Sequence, residues 1–447
     1  MSVFEAFGAQ AVVVWTLVVH TWWLWLPPAL FVFGKNLWKG YLKVRYYKSL
    51  EWVLLEIRIP RDIEKTPEAM EQVFAGLQAL YWGFDPLETW WQGLQHDYLV
   101  FEMVSMGGET RFYVRLPVFF RNLVEAQIYA QYPETEIVEA EDYMRALPDA
   151  VPNAEWNMFG LEFSFEKPDP YPIRTYRDFL TLTAGDKEFE KVDPFASMAE
   201  LLGRLRPGEH MGYHLLLRPA QTGGTDKWRK EGEALVDKLI GKRERPKKGP
   251  IARALEPLEP VTSGWGEALA PLLTGGEATS AAPKKEQSLP ETLMLHLSPG
   301  VKDIVAAIER NIMKPGFEVI VRFCYVARRD VYSLSHVASF VGGLKTYNTQ
   351  TGNGFKLNSA TMATKANWWW PEFMKSWKST HKKTLYYQYY RARKPFTDTY
   401  SLKSKFIVLN TEELATIYHY PGRTAKAPLM PRIEAKRSEP PSTLPVG

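Results

Sequence analysis

The chain has 447 residues, 45% of them apolar and 14% aromatic, enough to bury real cores and to exclude global disorder. At about 150 residues per domain, the length predicts roughly three units. A formal net charge of +4 is too mild to imply a nucleic-acid partner by itself, and the single cysteine, Cys324, excludes an intrachain disulfide and a cysteine zinc site.

The first element is apolar. From Ala6 to Gly34 there is no Asp, Glu, Lys or Arg. A helix of about 20 apolar residues crosses a bilayer, so residues 6–34 are expected to form a transmembrane helix. A signal peptide fits poorly, because no positive charge precedes the run and the run is too long. Pro27 and Pro28 should kink the span. Trp22, Trp23, Trp25 and Trp38 have the amphipathic rings expected near lipid headgroups. His20 lies inside the run and reads as a neutral, hydrogen-bonded side chain. Lys35, Lys39, Lys43, Arg45 and Lys48 follow, whereas only Glu5 precedes. The positive-inside rule then places the N-terminus outside and residues 35–447 in the cytoplasm, in a single-pass protein of the inner membrane. The lone thiol fits a reducing compartment, and the basic stretch fits a membrane-lipid partner.

Residues 50–143 predict the first folded unit. "WVLLEIRIP" alternates like a half-buried strand, and "KTPEAMEQVFAGLQAL" reads as a helix with Thr66 as N-cap and Pro67 at its first position. "DYLVFEMVS" and "TRFYVRLP" flank "MGGE", a hairpin turn. A helix over "VFFRNLVEAQIYAQYP" and a strand over "TEIVEAEDY" complete the order β-α-β-β-α-β, the ferredoxin-like arrangement. The acidic run in that last strand reads as a solvated edge.

Residues 144–200 read as a bridge containing one strand, "GLEFSFE". A second α+β unit is expected over 201–405, interrupted by a flexible insertion at 242–290. Its elements are the strand "MGYHLLLRP", the helices "KWRKEGEALVDKLIG" and "SPGVKDIVAAIERNIM" (capped by Ser298), the strand "FEVIVRFCYVA" and the helix "SLSHVASFVGGL". Residues 406–447 read as a short helix and a Pro-rich tail. Asn410 and Glu413 have capping-box spacing, with Gly422 beyond the helix. The expected fold class is therefore α+β: one N-terminal transmembrane helix and two ferredoxin-like cytoplasmic domains.

No G-x-x-x-x-G-K-[ST], H-E-x-x-H, G-x-S-x-G or kinase signature occurs. No catalytic, cofactor-binding or metal-ligating set emerges. His210 and His214 share one face of a strand without a companion ligand, and read as ordinary exposed or core histidines. The unusual stretch is 356–405, with eleven Lys and Arg against Glu372 and Asp398, interleaved with "NWWWPEF" and "LYYQYYRARKPF". Cations neutralise phosphates and aromatic rings stack bases, which makes Lys375, Lys378, Lys382, Lys383, Arg391, Arg393 and Lys394 candidate contacts for single-stranded DNA. The preferred alternative is a basic helix that packs its aromatics inward.

"LLEIRIPRDIEKTPEAMEQVFAGL", "VRLPVFFRNLVEAQIYAQYPETEIVEAEDY" and "FIVLNTEELATIYHYPG…PRIEAKRSEPPSTLP" together resemble a family of bacterial membrane proteins associated with conjugation-like type IV secretion. The resemblance spans about residues 50–445. It implies the membrane-anchored, non-catalytic part that precedes or accompanies a DNA-transfer ATPase of the coupling-protein type. In such proteins the Pro-rich tail leads into a P-loop motor, whereas no Walker A is present here. The expected function is to scaffold or tether a separate P-loop ATPase, with homo-oligomerisation implied by the ring form of such motors. The alternative is a membrane-tethered single-stranded nucleic-acid-binding protein acting through 356–405.

Overall fold

The computed structural model describes residues 15–16, 20–60, 65–81, 83–85, 87–181, 195–220, 227–240, 297–362, 371–396 and 402–421. The first unit runs β1 (Trp52–Arg58), α2 (Pro67–Gly76), β2 (Leu99–Met106), β3 (Glu109–Pro117), α3 (Arg121–Gln131) and β4 (Glu136–Glu139), after a long helix α1 (Trp22–Ser49). The second has β5 (Trp156–Phe165), α4 (Tyr176–Thr181), α5 (Ala196–Gly203), β6 (Glu209–Pro219), α6 (Lys227–Leu239), α7 (Pro299–Ile312), β7 (Gly316–Arg328), α8 (Leu334–Lys345) and β8 (Phe355–Leu357). The long helix α9 (Glu372–Ala392), β9 (Ile407–Asn410) and α10 (Thr411–Ile417) follow.

The described strands form one antiparallel sheet in the order β4-β1-β3-β2-β6-β7-β5-β8, with β9 on β7. The first four strands have the order expected from the β-α-β-β-α-β reading. The last four repeat it in mirror sequence along the sheet. The two units do not form separate sheets. They join where β2 lies antiparallel to β6, from Leu99 opposite Leu217 to Met106 opposite His210. Both strands are buried almost end to end, as central strands must be. The expected bridge over 144–200 also dissolves, because β5 sits between β7 and β8 and belongs to the second unit's sheet. The insertion over 242–290 lies outside the described residues.

Local chemistry explains several ends. Gly107 and Gly108 take φ of 59° and 93° in the β2–β3 turn, a backbone that glycine adopts freely. Pro67 and Pro299 stand at the first positions of α2 and α7, where a missing N–H costs nothing. Thr66 and Ser298 hold the N-cap positions but neither side chain makes a capping hydrogen bond. Asn410 does: its side chain accepts from the Glu413 N–H, and the Glu413 carboxylate accepts from the Asn410 N–H.

One face of the sheet is covered by α2, α3, α5, α8 and α10, whose apolar residues share a core with Leu55, Phe101, Phe112, Tyr213 and Phe323. Here α10 departs from its expected role. Every residue from Thr411 to Ile417 is buried, and Tyr418 sits edge-on to Phe101 and Phe112 of the first unit. Its two acids are used. Glu412 and Glu71 of α2 share the Lys314 ammonium, and the Glu413 carboxylate also accepts from the Ile173 N–H. α10 therefore packs into the centre of the molecule. Gly422 and the Pro-rich tail lie outside the described residues.

The opposite face is covered by α9. Gly160, Cys324 and Gly212 stand side by side on β5, β7 and β6, forming a shallow row across three strands. Tyr386 and Tyr390, one turn apart on α9, fill that row. A Cβ on Gly160 would clash with the Tyr386 ring, and one on Gly212 would clash with the Tyr390 hydroxyl. Cys324, fully buried between them, packs as a small apolar residue. Gly212→Ala is expected to cost about 1–3 kcal/mol, the range for overpacking a filled core. Urea denaturation would measure it, and a neutral outcome would mean that α9 does not seat on this row.

Candidate functional site

Two regions carry the candidate chemistry, and they meet at the C-terminal end of α9. The first is α1. Between Trp22 and Ser49 it contains no Asp or Glu, and its first half exposes Trp22, Trp23, Leu24, Leu30, Phe31, Val32 and Phe33, with Phe31 71% exposed. Pro27 and Pro28 lie within it. Among the described residues no helix is long and apolar enough to cross a membrane, so they do not contain the expected span. Of the run 6–34, residues 6–14 and 17–19 lie outside the described residues, as does the side chain of Trp25. His20 Nδ1 is 2.9 Å from the Thr16 carbonyl, consistent with a hydrogen-bonded imidazole.

The second half of α1 is fastened to the sheet. The π-helical turn Glu88–Gln92 supplies a clamp. Trp38 Nε1 donates to the Trp90 carbonyl at 2.9 Å, and the Lys35 and Lys39 ammonium groups stand over the Trp90 ring at 5.1 and 4.4 Å. Trp91 meets Trp38 edge-on and is 65% exposed. Leu42 is buried against Gly93, whose φ of +73° and lack of Cβ permit the approach. Tyr46 donates to Asp97 Oδ2 at 2.8 Å, and burial pushes the Asp97 carboxyl up to about 6. Lys35 and Lys43 are half-buried, while Lys39, Arg45 and Lys48 are exposed. Sequence reading found the α1 tryptophans but not Trp90 and Trp91. Only the fold brings that loop beside Trp38.

The second region is α9. Tyr386, Tyr387 and Tyr390 are buried, so they are not available to stack bases. The Tyr386 hydroxyl donates to the Leu161 and Phe323 carbonyls, and that of Tyr387 to the Pro148 carbonyl. Inward packing, the preferred reading of the stretch, is what the structure shows for these rings. Trp377 is exposed and stacks on His381. The seven cations proposed for DNA do not form one surface. Lys383 donates to Asn157 Oδ1 and Arg391 to Asp149 Oδ1. Lys375, Lys378 and Lys382 are half-buried, and Lys394 is exposed. Arg393 is a correction: at 1% exposure it cannot reach a phosphate.

Arg393 instead belongs to a buried polar network under α9. Its Nε donates to Glu102 Oε1 at 2.6 Å, and its two terminal nitrogens donate to Asp142 at 2.9 Å. Tyr143 donates to Glu102 Oε2 at 2.7 Å. The Tyr143 oxygen must then accept the contact from His214 Nε2 at 2.9 Å, which fixes the proton of His214 on Nε2. His210 Nε2 lies 2.8 Å from the Tyr390 hydroxyl. Both histidines therefore face α9 from one side of β6, as their spacing implies, and both are core residues. Beside them Arg322 makes a buried ion pair with Glu162 at 2.7 Å, and Ser404 donates to the same carboxylate.

These cations also close the C-terminal end of α9. Arg322 donates to the Tyr389 carbonyl and Arg115 to the Ala392 carbonyl. A helix C-terminus carries unpaired carbonyls and partial negative charge, so three guanidinium groups settle there. The network is balanced in charge and buried except at Asp142, which is half-exposed at its edge. A cavity of about 340 Å³ opens beside it, lined by Asp142, Arg145, Asp149 and Arg391, but neither histidine nor Glu102 faces it. Among the described residues no group of three or more His, Cys, Asp or Glu could hold a metal ion. The arrangement has the features of a structural keystone: Glu102, Glu162, His210, His214, Arg322 and Arg393 are all buried, and the guanidinium groups are paired with carboxylates, although Glu162 Oε2 and the Nδ1 atoms of both histidines lack a hydrogen-bond partner among the described residues. No protein-family model, curated protein or solved structure matches the chain.

Proposed function

We propose that the protein is a membrane-anchored, non-catalytic scaffold that holds a P-loop ATPase of a DNA-transfer or secretion apparatus at the membrane. The observation that carries the membrane part is the exposed apolar half of α1. Over the twelve residues from Trp22 to Phe33, which contain no acid, the side chains of Trp22, Trp23, Leu24, Leu30, Phe31, Val32 and Phe33 are exposed. An exposed apolar surface of this size marks an interaction with lipid or protein. At 1.5 Å per residue this half covers about 18 Å, short of a hydrocarbon core of about 30 Å. In this reading it marks the membrane-facing end of the folded region, in a single-pass topology with the sheet on the cytoplasmic side. The lysines and tryptophans between Lys35 and Lys43, with Trp90 and Trp91, then lie at headgroup depth.

The scaffold part is supported by what the folded region lacks and offers. The sequence contains no phosphate-binding loop, and the buried histidines serve packing. Each half, read as a ferredoxin-like unit, contributes an outer sheet edge, β4 and β8. The ATPase partner is drawn from the resemblance of the chain to secretion-associated membrane proteins.

Affinity purification of the full chain from its native cells in mild detergent tests the reading. Recovery of a P-loop ATPase, lost on truncation after Pro421, supports it and assigns the contact to the tail. That truncation spares α10, which the core requires. Recovery without any ATPase, or release of the protein from membranes by salt alone, overturns it.

A further inference from the structure

Three segments distant in sequence converge on one small cavity of about 160 Å³. Lys43, Tyr47 and Lys48 come from the last turns of α1, Tyr98 from the residue before β2, and Tyr389 and Lys394 from the end of α9. None of the three ammonium groups has a carboxylate partner among the described residues. Asp97, which lies close enough to Tyr47 and Tyr98 to act on them electrostatically, is engaged by Tyr46.

The position of Lys394 is over-determined. Arg393 takes the left-handed conformation at φ 54°, which ends α9 and lets the Lys394 N–H bond the Tyr389 carbonyl at 3.0 Å. The Arg393 side chain is locked to Glu102 and Asp142. Burial holds the Tyr47 hydroxyl above the ordinary tyrosine range and pushes Tyr98 up to about 12, so both remain hydrogen-bond donors at neutral pH. The last-turn position of Lys48 has an ordinary explanation in the helix dipole. The convergence of Lys43 and Lys394 from separate elements does not. Three lysines therefore line a concave, tyrosine-walled site, a setting whose chemistry suits an anion.

We propose that this cavity binds a phosphate group, supplied by an anionic lipid headgroup where α1 leaves the membrane. The phosphate chemistry stands on the cavity itself, and only the lipid source rests on the membrane-anchored reading. Pockets that enclose drug-sized ligands span about 300–1,000 Å³, so the cavity admits a headgroup phosphate and not a nucleotide. Lys43 lies five residues past Trp38, about 7.5 Å along the helix. Headgroups add roughly 5–8 Å on each side of the hydrocarbon core, so a cavity at this level is within their reach.

The test uses the full chain and two probes. Partition into phosphatidylcholine vesicles is compared with partition into vesicles that also contain phosphatidylglycerol. Each lysine near an anionic surface contributes about 1 kcal/mol, so Lys43→Gln and Lys394→Gln should each reduce the gain from phosphatidylglycerol about fivefold. Lys356→Gln, which removes an exposed charge on β8, should leave it unchanged. Equal losses in all three variants would show diffuse charge attraction and overturn the site. The second probe is glycerol 1-phosphate in detergent, followed by phosphorus-31 line broadening. Broadening by the wild-type chain that Lys394→Gln abolishes supports the phosphate site even if neutral vesicles fail to bind, which would sink only the membrane reading. If neither probe distinguishes Lys394→Gln from wild type, the proposal is wrong.

Discussion

Arg393→Met is expected to destabilise the fold by about 3–5 kcal/mol, the cost of stranding one partner of a buried ion pair. Glu102 is fully buried and accepts from Arg393 Nε at 2.6 Å. Without the guanidinium, its carboxylate keeps only the Tyr143 hydroxyl. Methionine fills much of the same volume, so the loss reports charge and hydrogen bonding more than a cavity. A companion variant separates the two. Adding Glu102→Gln to Arg393→Met removes both charges and should recover part of the loss, because a buried pair is worth less than the penalty for breaking it. Chemical denaturation of the two variants measures both effects. A single-variant loss below about 1 kcal/mol, the value of an exposed pair, would mean that water reaches Glu102 in the folded state. The same variant should also weaken the cavity at Lys394, since Arg393 fixes where the chain turns.

The sequence encodes the strands of the first unit plainly, because each has period-2 alternation or a flanking glycine turn. It also encodes the Asn410 capping box, which is local to four residues. The pairing of β2 with β6 is not local. Their partner residues are more than a hundred positions apart, and an apolar run declares burial without declaring its neighbour. The same limit hides the candidate site. Glu102, His214, Arg322 and Glu162 lie on four different strands, and only the register makes them adjacent. Gly160, Cys324 and Gly212 are unremarkable until they line up beneath Tyr386 and Tyr390. The cations of 372–394 look like one class by composition, yet the turn at Arg393 buries one while the next, Lys394, faces solvent. Glu412 and Glu413 mimic the solvated side of an amphipathic helix. Their partners, Lys314 and the Ile173 N–H, come from remote segments, so the burial of α10 on all sides could not be read from periodicity.

The strongest pH dependence is expected from His210 and His214, and its sign follows from their burial. Burial, then the neighbouring His214 and Arg393, lowers His210 to about 3, and burial with Arg393 and Arg322 holds His214 well below its ordinary value. In the unfolded chain both titrate near 6.5. Below that pH the unfolded state takes up protons that the folded state refuses. The stabilisation is therefore complete above about pH 6.5 and is lost as the pH falls toward 3, at up to about 1.4 kcal/mol per pH unit for each histidine. Asp97 and Asp169 work in the opposite direction. Burial raises each to about 6, so the folded state holds their protons more tightly and gains stability as the pH falls through that range. The whole stability curve mixes these effects, and the clean readout is a difference. His210→Gln cannot take up the proton. It should start less stable than the wild type at pH 7, by about 1–3 kcal/mol for the disturbed contact with Tyr390. The two curves should then converge by about 1.4 kcal/mol per pH unit below 6.5. Parallel curves would mean that His210 is protonated in the folded protein as readily as in the unfolded chain, which its sealed position between Tyr390 and Tyr143 does not permit.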